Sequence, residues 1–270
     1  MTTDIGARFR ALHRPGNPFI LANAWDIGSA KMLAALGAQA LGTSSAAHAF
    51  TLGRTDGQIS RDQALSHASD LAAAVNLPIS GDFENGFGDA PDTVAETVRL
   101  SAQAGLAGIS IEDIALTGQT TYPFDLAVER IRAAASAARA LPGDFVLVAR
   151  ADGIMTGAYD IDEALKRLAA FDAAGADCLY TPLPNTTDDL ARICQSTSKP
   201  VNALAAGPTY TALTRADYAR LGVARISLGA ALARATHMLI HDAAKDMFDQ
   251  GSFSRLSPGI AGADIDAMMN

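Results

Sequence analysis

The feature of this 270-residue sequence that most constrains its fold is a recurring unit in which a helical segment ends at glycine and a short apolar strand follows. The unit occurs four times, at Leu36-Gly37-Ala38, Ala104-Gly105-Leu106, Ala174-Gly175-Ala176 and Leu221-Gly222-Val223. Glycine readily adopts the left-handed conformation that stops a helix and turns the chain back toward a sheet. Repetition of such units is typical of a parallel α/β architecture.

Short apolar runs alternate with alanine-rich segments along the whole sequence. Eight runs are predicted as strands: Phe19–Asn23, Ala40–Thr43, Ile79–Asp82, Gly108–Glu112, Phe145–Arg150, Cys178–Thr181, Val201–Ala203 and Arg225–Ser227. Apolar residues at helical spacing predict helices between them at Ser29–Leu36, Arg61–Val75, Thr93–Ala104, Phe124–Ala140, Ile161–Ala173 and Arg215–Leu221. Eight units in about 230 residues predict one TIM (β/α)8-barrel domain over residues 1–270, with a doubly wound open sheet as the alternative.

The C-terminal part of the chain extends beyond the eight predicted units. Gly229–Asp249 is predicted to be a long helix, and the tail Gly251–Asn270 is interrupted by Ser257-Pro258-Gly259. A helical extension of this length is expected to pack on another surface. We interpret residues 229–270 as packing on a neighbouring subunit.

Composition and charge exclude several classes of function. The chain has 21 Lys and Arg against 29 Asp and Glu, a net charge of −8, so a basic surface for nucleic acid is not expected. No apolar run is long enough to span a membrane, and no secretory signal is visible at the start. The two cysteines, Cys178 and Cys194, are consistent with a reducing compartment. We therefore predict a cytoplasmic protein that acts on a small molecule.

Charged side chains occur at the predicted ends of three consecutive strands. Asp82 and Glu84 follow the third strand. Glu112 ends the fourth strand and Arg150 ends the fifth. Barrel enzymes carry their catalytic groups at this end of the strands. Converging carboxylates repel one another unless a cation neutralises them, and an all-oxygen set favours Mg²⁺ or Mn²⁺.

Each of these features also has a purely structural interpretation. An acidic residue after a strand is often the N-cap of the next helix. Thr43-Ser44-Ser45, at the end of the second strand, can cap a helix or form a polar nest that receives a carboxylate. Asn85-Gly86-Phe87-Gly88 can be an ordinary turn. His48, near the same rim, can be a substrate contact or a packing residue.

Five ordered blocks of the sequence resemble the isocitrate lyase/phosphoenolpyruvate mutase superfamily. The blocks are Asn23-Ala24-Trp25-Asp26, Leu41-Gly42-Thr43-Ser44-Ser45-Ala46, Asp82-Phe83-Glu84-Asn85-Gly86-Phe87-Gly88, Ile111-Glu112-Asp113 and Ala149-Arg150-Ala151-Asp152. Their order and spacing match the superfamily over most of the chain, from Asn23 to about Gly229. The resemblance implies a metal-bound enolate mechanism and a last helix exchanged between subunits in a dimer of dimers.

The resemblance also implies roles for individual residues. Asp82 would bind Mg²⁺ directly, whereas Asp56, Glu84 and Glu112 would hold its water molecules. Arg150 would bind a substrate carboxylate or phosphonate. The predicted substrate-binding residues are Trp25, Thr43, Ser44, Ser45, Asp82, Arg150 and Asn202, and the predicted catalytic residues are Arg150, Glu112 and Tyr122.

The departures from the superfamily pattern bear on the reaction. Lyases that cleave isocitrate or methylisocitrate carry a Lys-Lys-Cys-Gly-His loop after the fourth strand, and phosphonopyruvate mutases usually carry Lys-x-Asn-Ser. Residues 114–123 contain neither motif and no cysteine, lysine or histidine. Loss of CO₂ needs an electron sink but no base to start it, so a loop of this kind suits decarboxylation. The candidate proton donors to the enolate are water and Tyr122.

Three hypotheses follow. The first is a Mg²⁺-dependent carbon–carbon lyase or decarboxylase that acts on a small 2-oxo or 2-hydroxy acid similar to oxaloacetate. The second is a phosphonomutase or phosphonopyruvate hydrolase that acts on a P–C bond. The third is a barrel that binds 2-oxo acids without turnover.

Overall fold

The computed structural model describes residues 4–116 and 120–270. Eight parallel strands close into a barrel in the order β1 to β8, each paired with its neighbours in sequence and β8 paired with β1. The strands are β1 Phe19–Asn23, β2 Ala40–Gly42, β3 Ile79–Asp82, β4 Gly108–Glu112, β5 Val146–Arg150, β6 Cys178–Tyr180, β7 Val201–Leu204 and β8 Arg225–Ser227. The TIM-barrel prediction is confirmed, and the open-sheet alternative is wrong because the barrel is closed.

Helices surround the barrel and connect consecutive strands. They are α1 Ile5–Leu12, α2 Ile27–Ala35, α3 Ser45–Thr51, α4 Arg61–Ala74, α5 Pro91–Gln103, α6 Phe124–Arg139, α7 Gly153–Thr156, α8 Ile161–Ala173, α9 Thr187–Gln195, α10 Gly207–Thr211, α11 Arg215–Arg220, α12 Ala231–Gln250 and α13 Gly262–Met269, with a 3₁₀ turn at Ser254–Leu256. Every predicted strand is present, and each of its two boundaries lies within one residue of the prediction. The helices α1, α3, α7, α9, α10 and α13 were not predicted. For α7 and α10 the reason is length, because helices of four and five residues are too short to show apolar periodicity.

Two apolar cores hold the structure together. Outward-facing strand residues pack against the helices and form the larger core, as Ile109, Ile111 and Leu147 show. Inward-facing residues fill the lower half of the barrel, and Phe9 of α1 closes that end. The half of the interior at the carboxyl ends of the strands is polar, because the inward-facing residues there include Asn23, which is 6% exposed. The change from apolar to polar layers places a hydrophilic well at the carboxyl ends of the strands.

His13 lies in the closed lower end of the barrel and makes stability depend on pH. Its ring contacts Phe9 and Phe19 edge to face, and its Nδ1 lies 2.9 Å from the Phe9 carbonyl oxygen. Burial, together with the charge of Arg225, lowers the pKa of His13 from 6.5 to about 3. The unfolded chain therefore binds a proton near pH 6.5 that the folded chain does not bind until near pH 3, and stability is lost as the pH falls through this range.

The expected result for His13→Leu is a flatter dependence of stability on pH. Between pH 7 and pH 5, the wild-type protein should lose about 2 kcal/mol more unfolding free energy than the variant, because only the wild-type unfolded state gains this proton. Urea unfolding at the two pH values measures the difference. Equal losses in both proteins would contradict the buried neutral imidazole.

The C-terminal part combines contact with its own barrel and an exposed apolar surface. The end of the chain lies against α2, where Lys31 Nζ donates to the Met269 carbonyl oxygen at 2.5 Å. Along α12 only Ala233 and Ala243 are buried. Large apolar side chains in this part that remain exposed are Met238, Leu239, Ile240, Phe248, Phe253, Leu256, Ile260 and Ile265. Packing of residues 229–270 on a neighbouring subunit stays a prediction.

Within the described residues, no helix is both long and apolar enough to cross a bilayer.

Candidate active site

The loop after β3 has an unusual backbone that shapes the rim of the barrel. Glu84 and Phe87 adopt left-handed conformations, with φ of 49° and 63°, and Gly86 between them has φ of 81°. Non-glycine residues in this region carry strain that the surrounding structure must hold in place, and such strain is concentrated at functional sites. An ordinary turn over residues 85–88 does not account for the left-handed conformations of Glu84 and Phe87.

Arg130 of α6 holds this loop from behind. Its guanidinium donates to the carbonyl oxygens of Gly88 at 2.5 Å and Asp89 at 2.6 Å, and also to that of Asn85. Arg130 is only 1% exposed and lies over the Tyr122 ring, 4.0 Å from its centroid. One buried cation thus satisfies three loop carbonyl groups that would otherwise be unpaired.

Replacement of this clamp is expected to weaken metal binding indirectly. Arg130→Met keeps the length of the side chain but leaves three loop carbonyl groups without their donor, which should cost about 3 kcal/mol of stability. We also expect Mn²⁺ affinity to fall at least about tenfold, because the loop after Asp82 would no longer be fixed. Thermal unfolding and Mn²⁺ titration followed by electron paramagnetic resonance measure both effects. Unchanged Mn²⁺ affinity would show that the loop does not depend on Arg130.

Tyr122 helps Arg130 to hold the loop after β3 and does not lie at the rim of the barrel. Its hydroxyl donates to Asp89 Oδ1 at 2.6 Å and accepts from Asn85 Nδ2 at 2.8 Å. Burial and the bond to Asp89 raise the pKa of Tyr122, which makes it a weaker acid. Neither of the two rim cavities described below is lined by Tyr122. The geometry therefore favours a structural role over the proton-donor role predicted from the sequence, although Thr117–Gln119 of the same loop lie outside the described residues.

Asp82 makes the most contacts among the acids at the carboxyl ends of the strands, Asp56, Asp82, Glu84 and Glu112, which we call the acidic rim. Its Oδ2 accepts from both the backbone N–H and the hydroxyl of Ser45, each at 3.1 Å. The Ser45 hydroxyl also lies 3.2 Å from Asp56 Oδ1. Thr43 Oγ1 accepts from the Asp82 backbone N–H at 2.8 Å. These bonds tie the segment after β2 to the end of β3 and bring the two carboxylates to one serine.

Arg150 links Asp82 to two further acids, Glu112 and Asp152. Its Nη1 lies 3.0 Å from Asp82 and 2.8 Å from Glu112, and its Nη2 lies 2.7 Å from Asp152. The Arg150 side chain is 12% exposed, so its charge is largely removed from solvent. Adjacent strand ends thus bring the predicted acids and the arginine together. The sequence analysis did not anticipate that Arg150 already contacts three carboxylates.

Glu84 is the least satisfied acid of the site. It is 3% exposed, and both of its carboxylate oxygens are buried without a hydrogen-bond partner among the described residues. Burial, followed by repulsion from Asp82 and Asp56, raises the pKa of Glu84 to about 8. Burial also raises the pKa of Glu112 well above its ordinary value. Acids that are this poorly compensated fit a site that receives a cation.

The donor set is compatible with a hydrated hard cation. All of the acids supply oxygen atoms, as Mg²⁺ requires. Among the described residues, no three acidic, histidine or cysteine side chains are close enough to ligate one ion together. The described acids around Asp82 therefore do not form a cage of direct ligands.

Two connected cavities open at this rim and share Thr43 and Asp82. The first is lined by Ser45, His48, His67 and Glu84 among others. The second extends into the barrel, and its lining includes Asn23, Ser80, Ser110, Arg150, Tyr180, Arg225 and Ser227. We call the second cavity the barrel well. It is the space in which a substrate can reach both Asp82 and Arg150.

A pair of stacked histidines forms one wall of the first cavity. The His48 and His67 ring centroids are 3.8 Å apart and nearly parallel. His67 Nε2 lies 3.0 Å from the Trp25 carbonyl oxygen, which can only accept, so this nitrogen carries the proton. Burial and the neighbouring His67 lower the pKa of His48 to about 4, so it is neutral near pH 7. His67 was not singled out from the sequence, since its position on α4 matched an ordinary helix face.

The other predicted substrate contacts, Ser44, Trp25 and Asn202, differ in where they lie relative to the two cavities. Ser44 is the N-cap of α3 and accepts from the Ala47 backbone N–H at 3.3 Å, so the capping interpretation holds for its side chain. Trp25 is half-buried and does not line either cavity. Asn202 is fully buried and donates to Ser227 Oγ at 2.9 Å. Its Oδ1 has no partner among the described residues, and Ser227 lines the barrel well.

Comparison with known proteins gives the chain a consistent set of relatives. The family model for phosphoenolpyruvate phosphomutase matches residues 9–248. A crystal structure of a Burkholderia cenocepacia J2315 protein assigned to the lyase/mutase class is 45% identical, with a TM-score of 0.92 over 97% of this chain and 94% of that chain. The 2,3-dimethylmalate lyase of Eubacterium barkeri is 31% identical over 70% of this chain and 67% of its own length. The oxaloacetate decarboxylase of Chromohalobacter salexigens is 28% identical over 91% of this chain and 86% of its own.

Proposed function

Because this chain belongs to the phosphoenolpyruvate mutase/isocitrate lyase superfamily, we propose that it is a Mg²⁺-dependent lyase or decarboxylase. Its substrate is a small 2-oxo or 2-hydroxy acid similar to oxaloacetate, and a C–C bond breaks to leave a pyruvate-type enolate. The relatives that act on 2,3-dimethylmalate and on oxaloacetate support this class of reaction.

The observation that carries the proposal is the poorly compensated acidic rim around Asp82. In our account Asp82 binds Mg²⁺ directly, and Asp56, Glu84 and Glu112 hold its water molecules; Mn²⁺ would fit the same donors. When bound, the ion would stabilise the negative charge that develops on the oxygen atom of the 2-oxo acid. The strained loop held by Arg130 keeps Glu84 facing this point.

The chain's own groups account for binding and orientation of the substrate. We assign Thr43-Ser44-Ser45 to the oxo-acid end beside Asp82. The Thr43 and Ser44 hydroxyls accept hydrogen bonds in the structure and keep their own protons to donate to a ligand, whereas the Ser45 N–H and hydroxyl already donate to Asp82. Arg150 neutralises Asp82 and Glu112 and faces the barrel well, where it is placed to contact a substrate carboxylate. Residues 114–123 supply no strong acid in the sequence, which suits loss of CO₂ and leaves protonation of the enolate to water.

One assay tests the proposal. Oxaloacetate, phosphonopyruvate, methylisocitrate and malate derivatives are incubated with the protein and Mg²⁺, and both pyruvate and phosphate are measured. We expect pyruvate without phosphate from an oxaloacetate-like acid, above the rate with Mg²⁺ alone. Phosphate release, or formation of phosphoenolpyruvate, would instead support the second candidate, P–C bond cleavage. That candidate is favoured by the presence of two arginines, Arg150 and Arg225, in the barrel well. Binding without any product would support a non-catalytic barrel.

We also propose that the protein is a homo-oligomer, a dimer of dimers, in which residues 229–270 pack on a neighbouring subunit. The exposed apolar side chains of α12 and the tail support this, since Phe248 is 85% and Ile240 is 63% exposed. The double variant Ile240→Asp, Phe248→Asp should dissociate to smaller species, because a charge at each site would have to be buried in the interface. Light scattering coupled to size-exclusion chromatography measures the mass. A monomeric wild-type protein would contradict the proposal.

A further inference from the structure

Arg225 is a cation at the floor of the barrel well, and no carboxylate in the described part of the chain forms an ion pair with it. It is the first residue of β8 and is 4% exposed. Its Nη1 makes a long contact of 3.4 Å to Ser80 Oγ, and its buried Nε has no hydrogen-bond partner among the residues that the structure describes. Among residues 4–116 and 120–270 it forms no ion pair, whereas Arg150 above it contacts three carboxylates.

Such a residue is costly for folding alone. An isolated buried charge loses its hydration, and replacement of buried ionic groups by apolar ones is often neutral or stabilising. Burial accordingly lowers the pKa of Arg225. Barrel interiors are normally filled with apolar side chains, and the inner core here contains Leu21, Val146 and Val148 among others. Packing therefore gives no reason for an arginine at this position, and a ligand would.

The position of Arg225 fits one end of a substrate whose other end lies at Asp82. Its Nη1 reaches Ser80, which lies two residues before Asp82 on the same inward face of β3. Two residues along a strand span about 7 Å, a separation that a four-carbon dicarboxylate can bridge. Arg225 and Ser227 both line the well, and Ile226 between them packs outward in the larger core.

We propose that Arg225 forms an anion subsite that binds a second anionic group of the substrate, a carboxylate or a phosphonate, at the floor of the barrel well. This inference rests on the proposed function for the first group, which is bound at the Asp82 rim. It restricts the substrates to acids that carry two separated anionic groups. Arg150 secures the acidic rim and contacts the first carboxylate, and Arg225 supplies the charge that selects for a second anionic group.

Three matched 2-hydroxypropanoates test the subsite: lactate, malate and 3-phosphonolactate, which carry hydrogen, carboxylate or phosphonate on the third carbon. Calorimetric titration of the Mg²⁺-loaded protein measures each Kd. We expect malate or phosphonolactate to bind at least about tenfold more tightly than lactate, since a buried charged contact is gained. Arg225→Met should reduce that preference to less than about threefold and leave the Kd of lactate nearly unchanged. The acid that is preferred identifies the natural anionic group.

The stability of the variants separates a ligand-binding role from a packing role. Arg225→Met should leave the melting temperature unchanged or raise it, and Arg225→Lys should retain part of the preference for malate. Arg130→Met is the matched control, because it removes an equally buried arginine that has three carbonyl partners, and it should lower the melting temperature. The proposal is overturned if Arg225→Met keeps the full preference, or if it destabilises the protein as much as Arg130→Met does. Because titration needs no turnover, a lost preference supports the subsite even if no product is ever formed, which would contradict only the proposed reaction.

Discussion

Asp82→Ala is expected to abolish Mg²⁺-dependent turnover, with a fall in kcat of at least about 10³-fold, while the barrel stays folded. The reason is that Asp82 is linked to the other rim residues through its hydrogen bond from Ser45 and its ion pair with Arg150. A bound divalent cation supplies several kcal/mol of charge stabilisation in the transition state, and loss of its direct ligand removes that contribution. Arg150 keeps Glu112 and Asp152 as partners in the variant, so the fold does not depend on Asp82.

Turnover is measured as Mg²⁺-dependent pyruvate formation, and metal binding is measured independently by Mn²⁺ titration. Asp92→Asn is the control, because it changes an exposed aspartate in the first turn of α5. It should leave both measurements within about twofold of the wild-type values. Circular dichroism and thermal unfolding establish that Asp82→Ala is folded. Metal-stimulated turnover in a folded Asp82→Ala protein would refute the ligand role of Asp82.

Arg150→Lys is expected to reduce both activity and stability. A lysine ammonium cannot reproduce the fork that contacts Asp82, Glu112 and Asp152 together. We expect unfolding free energy to fall by about 2–4 kcal/mol, because at least one buried carboxylate loses its partner. We also expect kcat/KM to fall at least about 10²-fold, because the positions of the rim acids and the contact with the substrate both change.

Urea unfolding and the pyruvate assay measure the two effects of Arg150→Lys. Arg99→Lys is the matched control, because Arg99 is half exposed and paired with Glu96 on one helix face. Exposed pairs of this kind contribute little, so the control should stay within about 0.5 kcal/mol of wild type. Arg150→Lys protein with wild-type stability and kcat/KM would show that one point charge is sufficient at this position.

The barrel was predictable because local signals determine it. Glycine stops such as Gly105 and Gly175, both with positive φ, mark where helices end and strands begin. The strand predictions agree closely with the structure because continuous apolar runs are buried on both sides of a parallel barrel. The small helix α3 begins at the Ser44 cap and α7 ends at Gly157 in a left-handed conformation; with seven and four residues, they leave little periodic signal.

The rim was predictable from strand order, whereas its internal contacts were not. The ends of β3, β4 and β5 are adjacent in a barrel, so Asp82, Glu112 and Arg150 had to lie near one another. Which carboxylates contact Arg150 depends on side-chain rotamers, and no sequence pattern encodes them. Tyr122 follows β4 in the sequence, but the clamp formed by Arg130 turns its hydroxyl toward Asp89 instead of the rim.

Arg225 illustrates what strand periodicity could have shown. In Arg225-Ile226-Ser227, the alternation of β-strand side chains places the arginine and the serine on one face. Because Ile226 packs against the helices, that face is the barrel interior. Whether an inward arginine has a carboxylate partner depends on contacts across the barrel, between residues as distant in sequence as Ser80 and Arg225. Only the three-dimensional structure supplies that information.

Removal and return of the metal test the central claim most directly. The protein is treated with EDTA, freed of chelator, and assayed for pyruvate formation before and after addition of Mg²⁺. Our account predicts that turnover disappears after EDTA treatment and returns with Mg²⁺ or Mn²⁺ in proportion to the binding of about one ion per chain. Turnover that continues at its full rate in excess EDTA would contradict the account.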